Sequence, residues 1–208
     1  GLSVFSGIWP DSAYKLLTSI QDNIFRNLSW LYVMVVSIFI FFLLFLVISK
    51  YGNIKLGSNT SKPEYSFFSW ISMLFAAGMG IGLMYFGVAE PIAHFNTESI
   101  HTALDAASKA KNAQLYTFFH WGIHAWSVYA VIGLTLAYFA YRYRLPLSLR
   151  SALYPLLKDR IYGKIGDLTD IFALCSTFFG ITTTLGFGVV QLNAGLVSLG
   201  ILPESDFK

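Results

Sequence analysis

The chain has 208 residues, of which 55% are hydrophobic, 17% aromatic and 12% charged, with a formal net charge of +3. Soluble domains carry about a quarter charged residues, so this composition reads as a membrane protein with room for four spans of roughly 20 residues each. So small a charge gives no ground for a nucleic-acid partner, and the single cysteine, Cys175, excludes an intramolecular disulfide and a cysteine-built zinc site.

Residues 1–29 mix Gly7, Pro10, Asp11, Asp22 and Arg26 with scattered apolar residues and predict an extracellular loop, with an interfacial helix over the weakly amphipathic Ser12 to Phe25. Gly1 to Phe5 holds no basic n-region and no cleavage pattern follows, so the start reads as a cut and not as a signal peptide. Residues 30–49 form the first span, uncharged, opened by Trp30 and Tyr32 and closed by Lys50 and Tyr51. Its Phe39, Phe41, Phe42 and Phe45 surround the helix and read as lipid-facing bulk. Lys50, Lys55 and Lys62 against Glu64 make the 50–68 loop net basic, with Gly52, Gly57, Ser58, Asn59 and Pro63 as turn formers.

The second span, 69–92, is apolar but interrupted at its centre. Ala76, Ala77, Gly78, Gly80 and Gly82 leave the backbone bare, and each mid-helix glycine costs about 1 kcal/mol relative to alanine. Loosened backbone is tolerated in a bilayer only where protein or a water-lined cavity satisfies it, which suggests a broken helix lining a site. Close packing through the Gly78 and Gly82 small-xxx-small pair is the alternative. Glu90, before Pro91 at the end of the span, reads as interfacial, with a proton relay as the rival. Residues 93–114 carry Glu98, Asp105, Lys109 and Lys111, which cancel. The third span is 115–141. Arg142, Arg144, Arg150, Lys158, Arg160 and Lys164 against Asp159 and Asp167 then make 142–169 the most basic stretch, and 170–202 is the fourth span. The positive-inside rule places loops 50–68 and 142–169 in the cytoplasm and 1–29 and 93–114 outside.

On the third span, Trp121, Trp126 and Tyr129 fall at about 0°, 140° and 80° when stepped at about 100° per residue, sharing one face. Three such rings offer a wall to a quaternary ammonium group, which cannot hydrogen-bond and is held by cation–π attraction; helix packing or an interfacial belt is the plain alternative. His120 and His124, spaced i, i+4, suit one metal ion, but no third ligand is evident, so hydrogen bonds to neighbouring helices are the favoured reading. Thr177 and Thr184, seven apart, lie within about 20° of each other. Their hydroxyls suit a small cation, or bond their own backbone.

Three motifs in this order and spacing resemble the betaine/choline/carnitine transporter family: Ala76 to Pro91, His120 to Tyr129, and Phe179-Gly180 through Leu185-Gly-Phe-Gly188 with Gln191. The resemblance implies an all-α membrane protein with twelve helices and a LeuT-like core of two inverted five-helix repeats, of which this chain is a fragment holding the second to fifth helices. It implies that Trp121, Trp126 and Tyr129 belong to the aromatic box for the trimethylammonium group, and that Gly78, Met79, Gly80, Ile81 and Gly82 form the unwound segment against the substrate. Ala76 and Met79 match positions whose carbonyls bind sodium in sodium-coupled members, and Thr177 and Thr184 match hydroxyl positions near a second sodium site. Ile181 stands where such members have threonine, so stoichiometry is open. The implied activity is sodium-coupled, osmoprotective import of glycine betaine by alternating access, in the plasma membrane of a bacterium or archaeon. Its implied partners are a small quaternary-ammonium substrate, the lipid bilayer, the missing helices and further copies of the chain, as in the trimers of some relatives. No cofactor is implied beyond the sodium ion. A proton-coupled choline carrier and a sodium-independent carnitine/betaine exchanger are the rivals within transport; a membrane-embedded enzyme, with His120 and His124 as the only candidate pair, and a structural helical assembly are the rivals outside it.

Overall fold

A computed structural model describes residues 2–78, 80–97 and 105–203, and these are mostly helical with no strand among them. Eight α-helices follow in order: α1 (Leu2–Ile8), α2 (Pro10–Ile48), α3 (Phe67–Gly78), α4 (Ile81–Asn96), α5 (Ala106–Trp121), α6 (Ile123–Ala137), α7 (Tyr154–Leu157) and α8 (Lys164–Ser198). Three stretches are long and apolar enough to cross a membrane, Pro10–Ile48, Ala106–Arg142 and Lys164–Ser198, and the bent pair α3 and α4 makes a fourth if it counts as one span.

The chain divides into two compact units. The first comprises residues 1–52 and 123–131. Its main element, α2, replaces the expected loop over 1–29 with helix from Pro10 onward. The interfacial helix expected over Ser12 to Phe25 is part of α2, and no glycine or proline stands between Asp11 and Ser49 to end it. Pro10 occupies the first helical turn, where its fixed φ fits and its missing N–H costs nothing. At 39 residues α2 runs about 58 Å against a hydrocarbon core of about 30 Å, so its charged first half extends past the apolar layer. Phe41, Phe42 and Phe45 are exposed, as lipid-facing bulk should be.

The second unit comprises residues 53–122 and 132 onward. The expected 69–92 span is here two helices whose axes differ by 55°. Pro91 does not end it: the proline lies inside α4, which continues to Asn96. Rings hold α4 to its neighbours. Tyr85 stacks on Phe187 of α8 at 4.8 Å, and Phe86 meets Phe187 edge-on at 5.1 Å and Trp121 of α5 at 6.1 Å. Asp105 caps α5 by accepting the Ser108 N–H at 2.7 Å.

Beyond α6 a π-helical turn, Tyr138–Arg142, leads to the basic segment. Arg142 donates to the carbonyls of Lys55 and Gly57 and to Asn59 Oδ1 at 3.0–3.3 Å. These bonds bring the start of the 142–169 segment against the 53–59 part of the earlier loop. The fourth span also begins earlier than expected, at Lys164. Its first turn is pinned from below: Arg150 Nε donates to Asp170 at 2.5 Å and Nη2 to Asp167 at 2.9 Å, while Nη1 reaches the Ile161 carbonyl at 3.5 Å. The hydrogen bond to Asp170, with that to Asp167, holds the Arg150 guanidinium above its already high ordinary value. Ile161 is fully buried, and Gly166 lets α8 approach it. A Cβ at Gly166 would lie 2.7 Å from the Ile161 carbonyl carbon and on top of its oxygen.

Candidate substrate and ion sites

The helix expected over 115–141 is interrupted at Gly122, whose backbone (φ −84°, ψ −147°) is not helical. A side chain there would bring its Cβ to 2.5 Å from the Phe118 carbonyl oxygen, so the break asks for glycine. The break has a direct consequence for the aromatic wall. Stepping 100° per residue presumes unbroken helix, so the shared face of Trp121, Trp126 and Tyr129 does not follow from the wheel. Trp126 and Tyr129 lie together on α6, ring centroids 5.7 Å apart and tilted by 42°, and both are exposed. Trp121 ends α5 and has its own partners on α4.

Those partners include a group whose role the spacing did not reveal. Glu90 Oε2 accepts the Trp121 indole N–H at 2.7 Å, and Oε1 pairs with His120 Nδ1 at 2.8 Å and His94 Nε2 at 3.3 Å. Only 11% of the Glu90 side chain is exposed. The sequence places Glu90 at the interface, and the structure adds that it is the polar tie between α4 and α5. The i, i+4 spacing of Glu90 and His94 carries half of this signal, whereas the pairing with His120, 30 residues away, carries none. The same break separates His120 on α5 from His124 on α6, so the i, i+4 argument for a shared metal lapses. Among the described residues no group of three or more His, Cys, Asp or Glu side chains is placed to hold a metal ion.

The broken segment is described at Gly78, which ends α3, and at Gly80 to Gly82; Met79 lies outside the described residues. Gly80 is extended (φ −74°, ψ 178°), so the helix is unwound there. Gly80 and Gly82 have open space where a Cβ would stand. Ile81 is different: its side chain sits over Gly188 of α8, with Cδ1 2.8 Å from a Cβ position there. Ile81 thereby closes one end of an open apolar groove of about 580 Å³ along residues 185–199, in which Gln191 is the polar lining residue.

Of the positions expected near sodium, Ala76 is exposed near the end of α3. Thr177 donates its hydroxyl to the Ala173 carbonyl at 2.9 Å, as Thr182 and Thr183 do to Phe178 and Phe179. Such back-bonding spends the proton and leaves the oxygen lone pairs available. Thr184 is half-buried in the same helix.

The comparisons with known proteins decide the family. The family model described as BCCT, betaine/carnitine/choline family transporter, matches residues 1–207. The chain belongs to the betaine/carnitine/choline transporter family. It is 56% identical over 200 residues to an uncharacterized transporter of Haemophilus influenzae, covering 96% of this chain and 30% of that protein. A glycine betaine transporter of Acinetobacter baylyi is 50% identical over 201 residues, covering 96% and 30%. A high-affinity choline transport protein of Escherichia coli is 44% identical over 201 residues, covering 97% and 28%. The chain thus spans about 30% of the length of these relatives of the betaine/carnitine/choline family.

Proposed function

We propose that the whole protein is a secondary transporter importing a trimethylammonium solute, glycine betaine foremost, by sodium-coupled alternating access in the plasma membrane. The observation that carries this reading is the break between Gly78 and Ile81 with its 55° bend. Unwound backbone at membrane depth is stable only where protein or a cavity satisfies it, and transporters of this architecture bind substrate at such breaks. The 50% identity to a glycine betaine transporter supports the substrate class.

In this reading Trp121, Trp126 and Tyr129 each offer a ring to the cationic head, worth about 0.5–2 kcal/mol apiece. The backbone of Gly78, Met79, Gly80, Ile81 and Gly82 faces the carboxylate end, since bare glycine brings peptide dipoles close without negative charge. Sodium is held by the carbonyls of Ala76 and Met79 and by the hydroxyl oxygens of Thr177 and Thr184. The Arg142 contacts support a common side for loops 50–68 and 142–169, and their basic residues assign it to the cytoplasm. Proton-coupled choline import is the second reading, favoured by the 44% identity to a choline transport protein. Uptake of labelled betaine into proteoliposomes holding the complete protein, with and without an inward sodium gradient, tests the proposal. Accumulation that needs the gradient and yields to excess betaine more than to choline supports it. Uptake indifferent to sodium removes the coupling, and preference for choline favours the second reading.

A further inference from the structure

Trp121 is held by its edge and by its face from one helix. Glu90 takes the indole N–H at 2.7 Å, and Phe86, one turn earlier on α4, lies against the ring at 6.1 Å with planes 29° apart. An indole turns about two side-chain bonds; a hydrogen bond at Nε1 and a stacked plane together arrest both. Glu90 is itself steadied, its other oxygen engaged by His120 and His94. We propose that Glu90 is a positioning residue for substrate binding, fixing the plane of Trp121 so that one π-face is ready for the cationic head before substrate arrives. This rests on the reading of Trp121 as a substrate-binding ring. A ring already fixed in its bound orientation spares the ordering cost that a free ring pays on binding.

The chemistry of the contact supplies the test. A carboxylate only accepts, and here it accepts on both oxygens. Glutamine has the same shape but no charge, with one acceptor and one donor, so Glu90→Gln leaves the indole N–H on a neutral oxygen or, with the amide turned, facing an N–H. Four forms of the complete protein are compared in lipid vesicles: wild type, E90Q, W121F and the double variant, each assayed for equilibrium betaine binding. Phenylalanine keeps a π-face and lacks the N–H. Ordering a freed side chain on binding weakens affinity by roughly two- to twelvefold, so E90Q weakens binding by about that factor. In the W121F background the same change has less than a twofold effect. An equal factor in both backgrounds overturns the proposal, since Glu90 then acts without the indole N–H. Where E90Q fails to insert, the wild-type minus W121F ultraviolet resonance Raman spectrum decides: a strongly hydrogen-bonded indole supports the proposal and a free one overturns it. A wild type that binds no quaternary amine overturns the proposed function itself, an outcome distinct from equal factors in a protein that binds.

Discussion

Gly166→Ala is the sharpest structural test, because two effects of opposite sign meet at one atom. Alanine is the better helix former by about 1 kcal/mol, which alone would stabilise α8. The added Cβ, however, would overlap the Ile161 carbonyl, a backbone group that cannot swing aside. The turn Lys158–Tyr162 must withdraw, taking with it Ile161, which is fully buried, and the carbonyl that Arg150 reaches. Exposing an isoleucine side chain forfeits roughly 1.5–3 kcal/mol. Against at most about 1 kcal/mol gained, the net loss is about 0.5–2 kcal/mol, or roughly a two- to thirtyfold larger open population of the turn. Lys158 and Arg160 lie in this turn, so limited trypsin digestion of the protein in lipid nanodiscs reads that population when opening is fast. Gly163→Ser is the control. Its Cβ would stand 3.5 Å from the Arg160 carbonyl, an ordinary contact, and serine is a favoured residue at the helix N-cap that Gly163 occupies. Cleavage should quicken in Gly166→Ala and not in Gly163→Ser. Equal rates in the two variants would refute the reasoning.

In the complete protein, Trp126→Leu keeps bulk but loses the ring, and betaine affinity should fall by about 0.5–2 kcal/mol; unchanged equilibrium binding makes Trp126 a packing residue. Gly82→Asp places a carboxylate where the structure leaves open space. Repulsion of about 4 kcal/mol, for charges 4 Å apart at an effective dielectric constant of 20, should turn the betaine-to-choline uptake ratio toward choline, and an unaltered ratio sinks the idea. Asp105 supplies a pH test. Hydrogen bonds from Ser108 hold its carboxyl below the ordinary aspartate value. A depressed folded value means that the cap's contribution is complete above the ordinary value and disappears as pH falls through the lowered one. Amide exchange at Ser108 should therefore accelerate only in acid, and Asp105→Asn should flatten that dependence; a rise beginning near neutrality would contradict it.

Features that depend on neighbours along the chain were legible in the order of the residues. Apolar length marked the membrane-crossing stretches, and the bare run from Ala76 to Gly82 marked the break between α3 and α4, because a missing Cβ weakens a helix wherever it lies. Family motifs were legible for the same reason. The failures came where a local rule met a distant group. The interfacial helix that the sequence suggests over Ser12 to Phe25 lies within α2, and what spacing missed is its unbroken run from Pro10 to Ile48, since helix needs only backbone bonds without breakers. The wheel that united Trp121, Trp126 and Tyr129 assumed a regular helix that Gly122 interrupts. The partners of Glu90, His120 and Trp121, stand 30 and 31 residues away, and no spacing rule points to them. Only the tertiary structure decided those pairings, and with them Ile161 beneath Gly166. Hydrogen-bond partners and close approaches depend on atoms a few ångströms apart in space, a proximity that spacing along a chain does not encode.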